Sequence, residues 1–242
     1  MGLLLSALPL AAQAQTDVSP GNLVGSQVWT TAGSPYRLAG DVTVPAGITL
    51  TIQAGTVVEL GTGDTLGSGL DTARTELRIQ GTLAVNGALG TEVTFRSRAA
   101  SPATGDWYGV VVLSGATANV QNAILRHATA GLRTEALGVV AGGIRTENCQ
   151  YGVYANGGSL TLSGGTLINS TNYGFYGASS AVVTASDLQI YGSTNYGAYV
   201  SNADLNLSRS IVRNNGSRGI YLSNSSGTHT HQIGRASCRE RV

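Results

Sequence analysis

Lysine is absent from this 242-residue chain: all fourteen basic residues are arginines, and they fall singly rather than in runs. A nucleic-acid binder would carry a basic stripe and a high isoelectric point. Here charged residues are only 11% of the chain and the formal net charge is +1, so nucleic acid is not an expected partner. Cysteine occurs twice, too rarely for a disulfide-stapled scaffold. Proline is down to five residues and gives no long proline-rich linker. No apolar run approaches the roughly 18–20 residues that a membrane-spanning helix needs. An amphipathic helical period is missing throughout the body of the chain, which argues against a helical domain.

What is abundant is glycine, at 34 residues, together with valine, leucine, threonine, serine and asparagine. That mixture predicts many short strands joined by tight turns. Two terminal segments stand apart. Residues 1–14 hold an apolar stretch ending in Ala12-Gln13-Ala14, the small-residue pattern of a signal-peptide cleavage site, so a mature start at Gln15 is expected. The segment lacks a positively charged beginning, so the true start is expected upstream of Met1. Residues 233–242 abruptly raise the charge density. They translate ATC GGA AGA GCG TCG TGT AGG GAA AGA GTG, a common short-read sequencing adapter, so the native chain is expected to continue differently from about His231. Without those ten residues Cys149 is the one native cysteine, and the net charge becomes −1.

Internal repetition organises the rest. Glycines 109, 131, 152, 174, 197 and 219 recur at spacings of 22, 21, 22, 23 and 22 residues. The last coils align by eye: QYGVYANGGSLTLSGGTLINS, NYGFYGASSAVVTASDLQIYG, NYGAYVSNADLNLSRSIVRNN and SRGIYLSNSSG. Each carries short alternating runs such as Leu160/Leu162, Val183/Ala185 and Leu205/Leu207, the period of a strand with one buried face. Three short strands in about 22 residues leave no room for crossover helices, so each coil must pair with its neighbours as a solenoid. One residue after the anchor glycine (Val153, Phe175, Ala198, Ile220) and three after it (Ala155, Gly177, Val200, Leu222), side chains are predicted to face inward. The position between them is then outside.

The N-terminal half carries a family resemblance. SQVWTTAGSPYRLAGDVTVPAGITLTIQAGTVVEL (26–60), ELRIQGTLAVNGALGTEVTFRSR (76–98) and GDWYGVVVLSGA (105–116) resemble bacterial secreted right-handed parallel β-helix proteins of pectate-lyase-like architecture. The likeness covers about residues 26–228 and is specific for fold, because that family spans adhesins, surface proteins and polysaccharide-active enzymes. The expected fold is all-β: a right-handed, single-stranded parallel β-helix with coils of about 22 residues, truncated at its C-terminus. The expected organisation is a signal peptide (1–14), a lead-in (15–25), the β-helix (26–232) with an insertion loop at 61–75, and the adapter-like tail (233–242). A solenoid cut short would expose unpaired strand edges and self-associate through its last coil, near Gly219–Gly227.

Tyrosine is the most regular feature outside the core. Tyr151, Tyr173 and Tyr196 precede an anchor glycine, as does Tyr108; Tyr154, Tyr176, Tyr199 and Tyr221 follow one by two positions. The last four are the candidate binding residues, as an exposed ladder that would stack on sugar rings or on a partner; the plainer reading is mutual stabilisation of neighbouring strands. Acids do not cluster by phase: Glu135, Glu147, Asp187 and Asp204 fall 4, 16, 13 and 7 residues after their glycines. Arg133, Arg145, Arg209 and Arg213 scatter likewise, and Glu147 and Arg213 share a phase but lie three coils apart. A glycosidase needs two nearby carboxylates, and the lyases that the resemblance brings in would cluster acids for calcium beside a basic residue. No catalytic residue is assigned on this count.

No cofactor or metal is expected. Asp64 and Asp71 in GTGDTLGSGLD are where calcium would sit if the loop took one, but the segment matches no calcium motif and reads as turns. His127 reads as a turn residue, Cys149 as a small buried one, and Asn148, Asn169, Asn172, Asn195 and Asn214 as corner residues. The pair His229/His231 has ligand-like spacing beside the adapter junction and carries little weight. The functional expectation is a non-catalytic, exported cell-surface or extracellular protein, structural or adhesin-like, meeting glycan or cell-surface protein. The alternative is a polysaccharide lyase or glycoside hydrolase with its site in missing C-terminal coils or in the 61–75 loop.

Overall fold

A computed structural model describes residues 15–232. The expected signal segment and the adapter-like tail lie outside the described residues, and so do the side chains of His229 and His231. The chain is a parallel β-solenoid. One strand per coil builds a nine-stranded sheet running from Gly21–Asn22 to Arg218–Ser223, so the described part has nine coils. The remaining strands form a fourteen-stranded sheet, and the pairings along both sheets are parallel. Among the described residues the one helical element is a single 3-10 turn, Thr31–Gly33.

The fourteen-stranded sheet supplies two faces of each coil. In the first half these are separate strands, as in Thr117–Gln121 and Ala123–Arg126. From Val139–Glu147 onward one long strand bends through both, and Ser159–Ile168, Val182–Tyr191 and Asp204–Arg213 repeat the bend. The bend is a left-handed residue at each coil: Asn122, Gly143, Gly164, Asp187 and Arg209, with φ between 45° and 61° for all but Gly164 at 65°. A second corner stacks His127, Asn148, Asn169, Gly192 and Asn214, all at positive φ. Asparagine and glycine tolerate that conformation, which is why they recur at these positions. Asn172 and Asn195 stand nearby as a true ladder, with Asn195 Nδ2 donating to Asn172 Oδ1 at 2.7 Å.

The inward positions fall where the sequence places them. Val153, Phe175, Ala198 and Ile220 stack in register and are at most 9% exposed. A second column, Val139, Leu160, Val183 and Leu205, is at most 2% exposed. Burial of each such side chain contributes about 1.5–3 kcal/mol, and the core is the sum of these columns. The anchor glycines owe their period to backbone contact between coils. A Cβ on Gly152 would stand 2.5 Å from the Gly174 carbonyl oxygen, so no larger residue fits. The insertion at 61–75 interrupts the coil between Val57–Leu60 and Glu76–Ile79 and folds over the nine-stranded sheet.

Candidate functional site

Seven tyrosines on the nine-stranded sheet form a double column. Tyr154, Tyr176, Tyr199 and Tyr221 stack in register, with centroid separations of 4.6, 5.4 and 5.4 Å and near-parallel planes. Beside them Tyr151, Tyr173 and Tyr196 form a second line at 5.7 and 5.4 Å, and the two lines touch throughout, as in Tyr173–Tyr199 at 5.0 Å. All seven are half-buried. This changes the expected mode of contact: each ring covers its neighbour's face, so the column offers a partner ring edges and hydroxyls. Burial raises the pKa of Tyr173 and Tyr176, and the neighbouring phenols raise it further, so these hydroxyls stay protonated at neutral pH.

Both ends of the main column meet an arginine. The Arg133 guanidinium lies 4.8 Å from the Tyr154 centroid and that of Arg218 lies 4.5 Å from Tyr221. Each such cation–π contact is worth about 0.5–1 kcal/mol at an exposed site. Arg133 also donates to Tyr108 Oη at 2.8 Å and to Glu135 Oε1 at 2.6 Å. Tyr108 thus positions Arg133 rather than joining the ring stack. Asn156 continues the network, accepting from Tyr154 Oη at 3.2 Å and from Ser179 Oγ at 2.8 Å. The arginine contacts escaped sequence reading although the signal was present: Arg133 sits at the same phase as Tyr154, one coil earlier.

The scattered-charge reading needs correction. Arg37, Glu59 and Arg96 occupy equivalent positions on adjacent coils, and Glu59 accepts from Arg37 Nε at 3.0 Å and Arg96 Nη2 at 2.7 Å. Burial alone would raise the Glu59 pKa, but the two arginines outweigh it and hold the carboxyl below its ordinary value. Two coils further on Glu147 pairs with Arg126 and Arg145. Asp187 and Arg209 share a corner and form two hydrogen bonds, at 2.8 and 2.6 Å. Counting from the preceding glycine misses that pair because coil lengths vary by a residue. Glu147 and Arg213 do lie in line three coils apart, separated by Ile168 and Tyr191.

One carboxylate pair does share a phase. Asp41 and Glu76 precede Val42 and Leu77, which are register partners on neighbouring strands, about 4.8 Å apart. The 15-residue insertion between the coils hides this from a phase count. The spacing would suit a pair of glycosidase carboxyls, but the 61–75 loop covers both, leaving Asp41 1% and Glu76 0% exposed. Asp64 and Asp71 shape that loop. Asp64 accepts the amides of Asp41, Leu66 and Ser68, while Asp71 takes the Ala73 amide and Arg74. Among the described residues no group of three or more His, Cys, Asp or Glu side chains is arranged to hold a metal.

The other singled-out residues are structural. His127 turns the chain between Ala123–Arg126 and Ala128–Thr134 at φ 68°, and burial lowers its pKa. Cys149 is fully buried, and burial pushes its thiol up to about 12, which removes it as a nucleophile at neutral pH. None of the described helices is long and apolar enough to cross a membrane.

Residues 21–149, more than half of the chain, match the family model described as the pectate-lyase-like β-helix domain. No curated protein matches the chain, and no solved structure does. The matched segment covers the coils from Gly21 to the Cys149 corner and includes the loop insertion, and the tyrosine columns continue the same solenoid beyond it. The chain belongs to the pectate-lyase-like β-helix domain family.

Proposed function

We propose that this chain is a non-catalytic, exported surface or extracellular protein that binds glycan along the tyrosine-lined face of its β-helix. The observation that carries the reading is the unbroken double column of seven tyrosines, sealed at both ends by Arg133 and Arg218. A repeating row of phenol edges at strand spacing suits a repeating, hydroxyl-bearing polymer, because many weak contacts can act together. Domains of this family are often extracellular, which fits the signal-like pattern at 1–14. A protein partner on the cell surface would use the same edges.

Titration calorimetry against a panel of neutral and acidic polysaccharides tests the proposal. Tyr176→Phe plus Tyr199→Phe removes two hydroxyls while keeping the stacked rings, and should weaken binding about tenfold, the loss of roughly one net hydrogen bond. Unchanged affinity in that double variant removes the tyrosine face from the function. The lyase or hydrolase alternative draws support from the Asp41–Glu76 pair and against it from the loop that encloses both. Release of unsaturated or reducing ends from any of those polymers would favour it.

A further inference from the structure

Carboxyl groups accept most of the side-chain hydrogen bonds that hold the loop at 61–75, beside an Arg74 Nε bond to the Gly105 carbonyl at 2.7 Å and a Gly61 amide bond to the Leu38 carbonyl at 2.8 Å. Asp64 accepts the amides of Asp41, Leu66 and Ser68 at 2.9, 3.0 and 2.7 Å. Asp41 accepts the Glu76 amide at 2.8 Å with one oxygen and Ser68 Oγ at 2.7 Å with the other. Glu76 Oε1 accepts the amides of Leu70 and Asp71 at 2.8 and 2.7 Å. Glu76 Oε2 is different: it is buried without a hydrogen-bond partner, and the nearest cation, Arg78 Nε, stands 3.5 Å away.

Gly69 shows where that oxygen points. A Cβ built on Gly69 would fall 2.5 Å from Asp41 Oδ2 and 2.7 Å from Glu76 Oε2, so the two oxygens flank one spot beneath the loop backbone. Two ionised carboxylates enclosed this close repel each other, and the pair is most stable when one of the two carries a proton. The surroundings do not supply a full countercharge. Asp64 and Asp71 come from the loop, Arg78 from the same strand, and Tyr108 from the next coil, where it is tied to Arg133. Burial, then the Asp41 charge, outweigh the Asp71 and Leu70 amides and Arg78, and push Glu76 up to about 7. Asp41 is raised as well, chiefly by burial.

We propose that Asp41 and Glu76 form a proton-operated latch: one proton on the pair keeps the 61–75 loop clamped on the nine-stranded sheet, and its loss releases the loop. The released loop uncovers both carboxylates beside Tyr108 and Arg133, at the arginine-capped end of the tyrosine columns. Glu76→Gln reproduces the uncharged state, since its carbonyl still accepts the two loop amides and no second negative charge faces Asp41.

Hydrogen exchange of the Leu70 and Asp71 amides, corrected for intrinsic rates, reads the latch. In the wild-type protein, protection should fall about tenfold between pH 6 and pH 8.5, while amides of Tyr173–Ala178 keep theirs. In Glu76→Gln that fall should vanish. Equal protection at both pH values in the wild type, an unchanged fall in the variant, or parallel loss in Tyr173–Ala178 would each overturn the latch. Should the variant fail to fold, the Glu76 side-chain carboxyl followed by carbon NMR in the wild type decides. A midpoint near 7 supports the latch, and one in the ordinary carboxylate range overturns it. None of these readouts involves glycan, so they stand or fall apart from the binding proposal.

Discussion

Tyr176 and Tyr199 lie one coil apart with centroids 5.4 Å from each other and ring planes within 5° of parallel. Neither ring could adopt that geometry on a flat isolated strand; it exists because the solenoid repeats the same position at strand spacing.

Truncation at the centre of the column should therefore be felt as stability. Tyr176→Ala removes stacking against Tyr154 and Tyr199 and should cost about 1–3 kcal/mol, from two aromatic pairs at about 0.5–1.5 kcal/mol each. Tyr176→Phe should cost much less, because the rings remain. Urea unfolding of the two variants gives the comparison.

Glycine at the coil anchor should prove irreplaceable where glycine elsewhere does not. Gly152→Ala drives a methyl into the Gly174 carbonyl and into Thr146 Oγ1, each 2.5 Å away, and should destabilise by about 1–3 kcal/mol. Gly25→Ala meets nothing within 4 Å and should leave the melting temperature nearly unchanged. Thermal melts of both variants check the contrast.

Acid should weaken the Arg37–Glu59–Arg96 sandwich. The Glu59 pKa is lowered in the folded chain, so its contribution is present above its unfolded value and disappears as pH falls through the folded one. Glu59→Gln should cost about 1 kcal/mol at pH 7, discounted for the half-exposed Arg96, and almost nothing at strongly acidic pH. Melting temperatures of wild type and variant should converge as pH is lowered.

Cys149 should resist thiol reagents in the native state. Its burial and raised pKa leave no accessible thiolate, so labelling of the Cys149 peptide by mass spectrometry should require unfolding. Rapid native labelling would show that the corner beside it opens.

The coil period, the inward positions and the two tyrosine phases were legible in the residues themselves. Those features are local: a glycine every 21–23 residues and alternation within each run define the coil before any two coils meet. Leu160 and Val183 reveal their facing in this way, and so do Tyr154 and Tyr176. What only the tertiary structure decided is which side chains touch across coils. Asp187 meets Arg209 although their glycine offsets differ by one, and Asp41 meets Glu76 across an insertion of 15 residues. It also decided that the tyrosine faces are closed against one another. Contact between coils depends on register, and register is set by bends and loops of variable length, which a repeat count averages away.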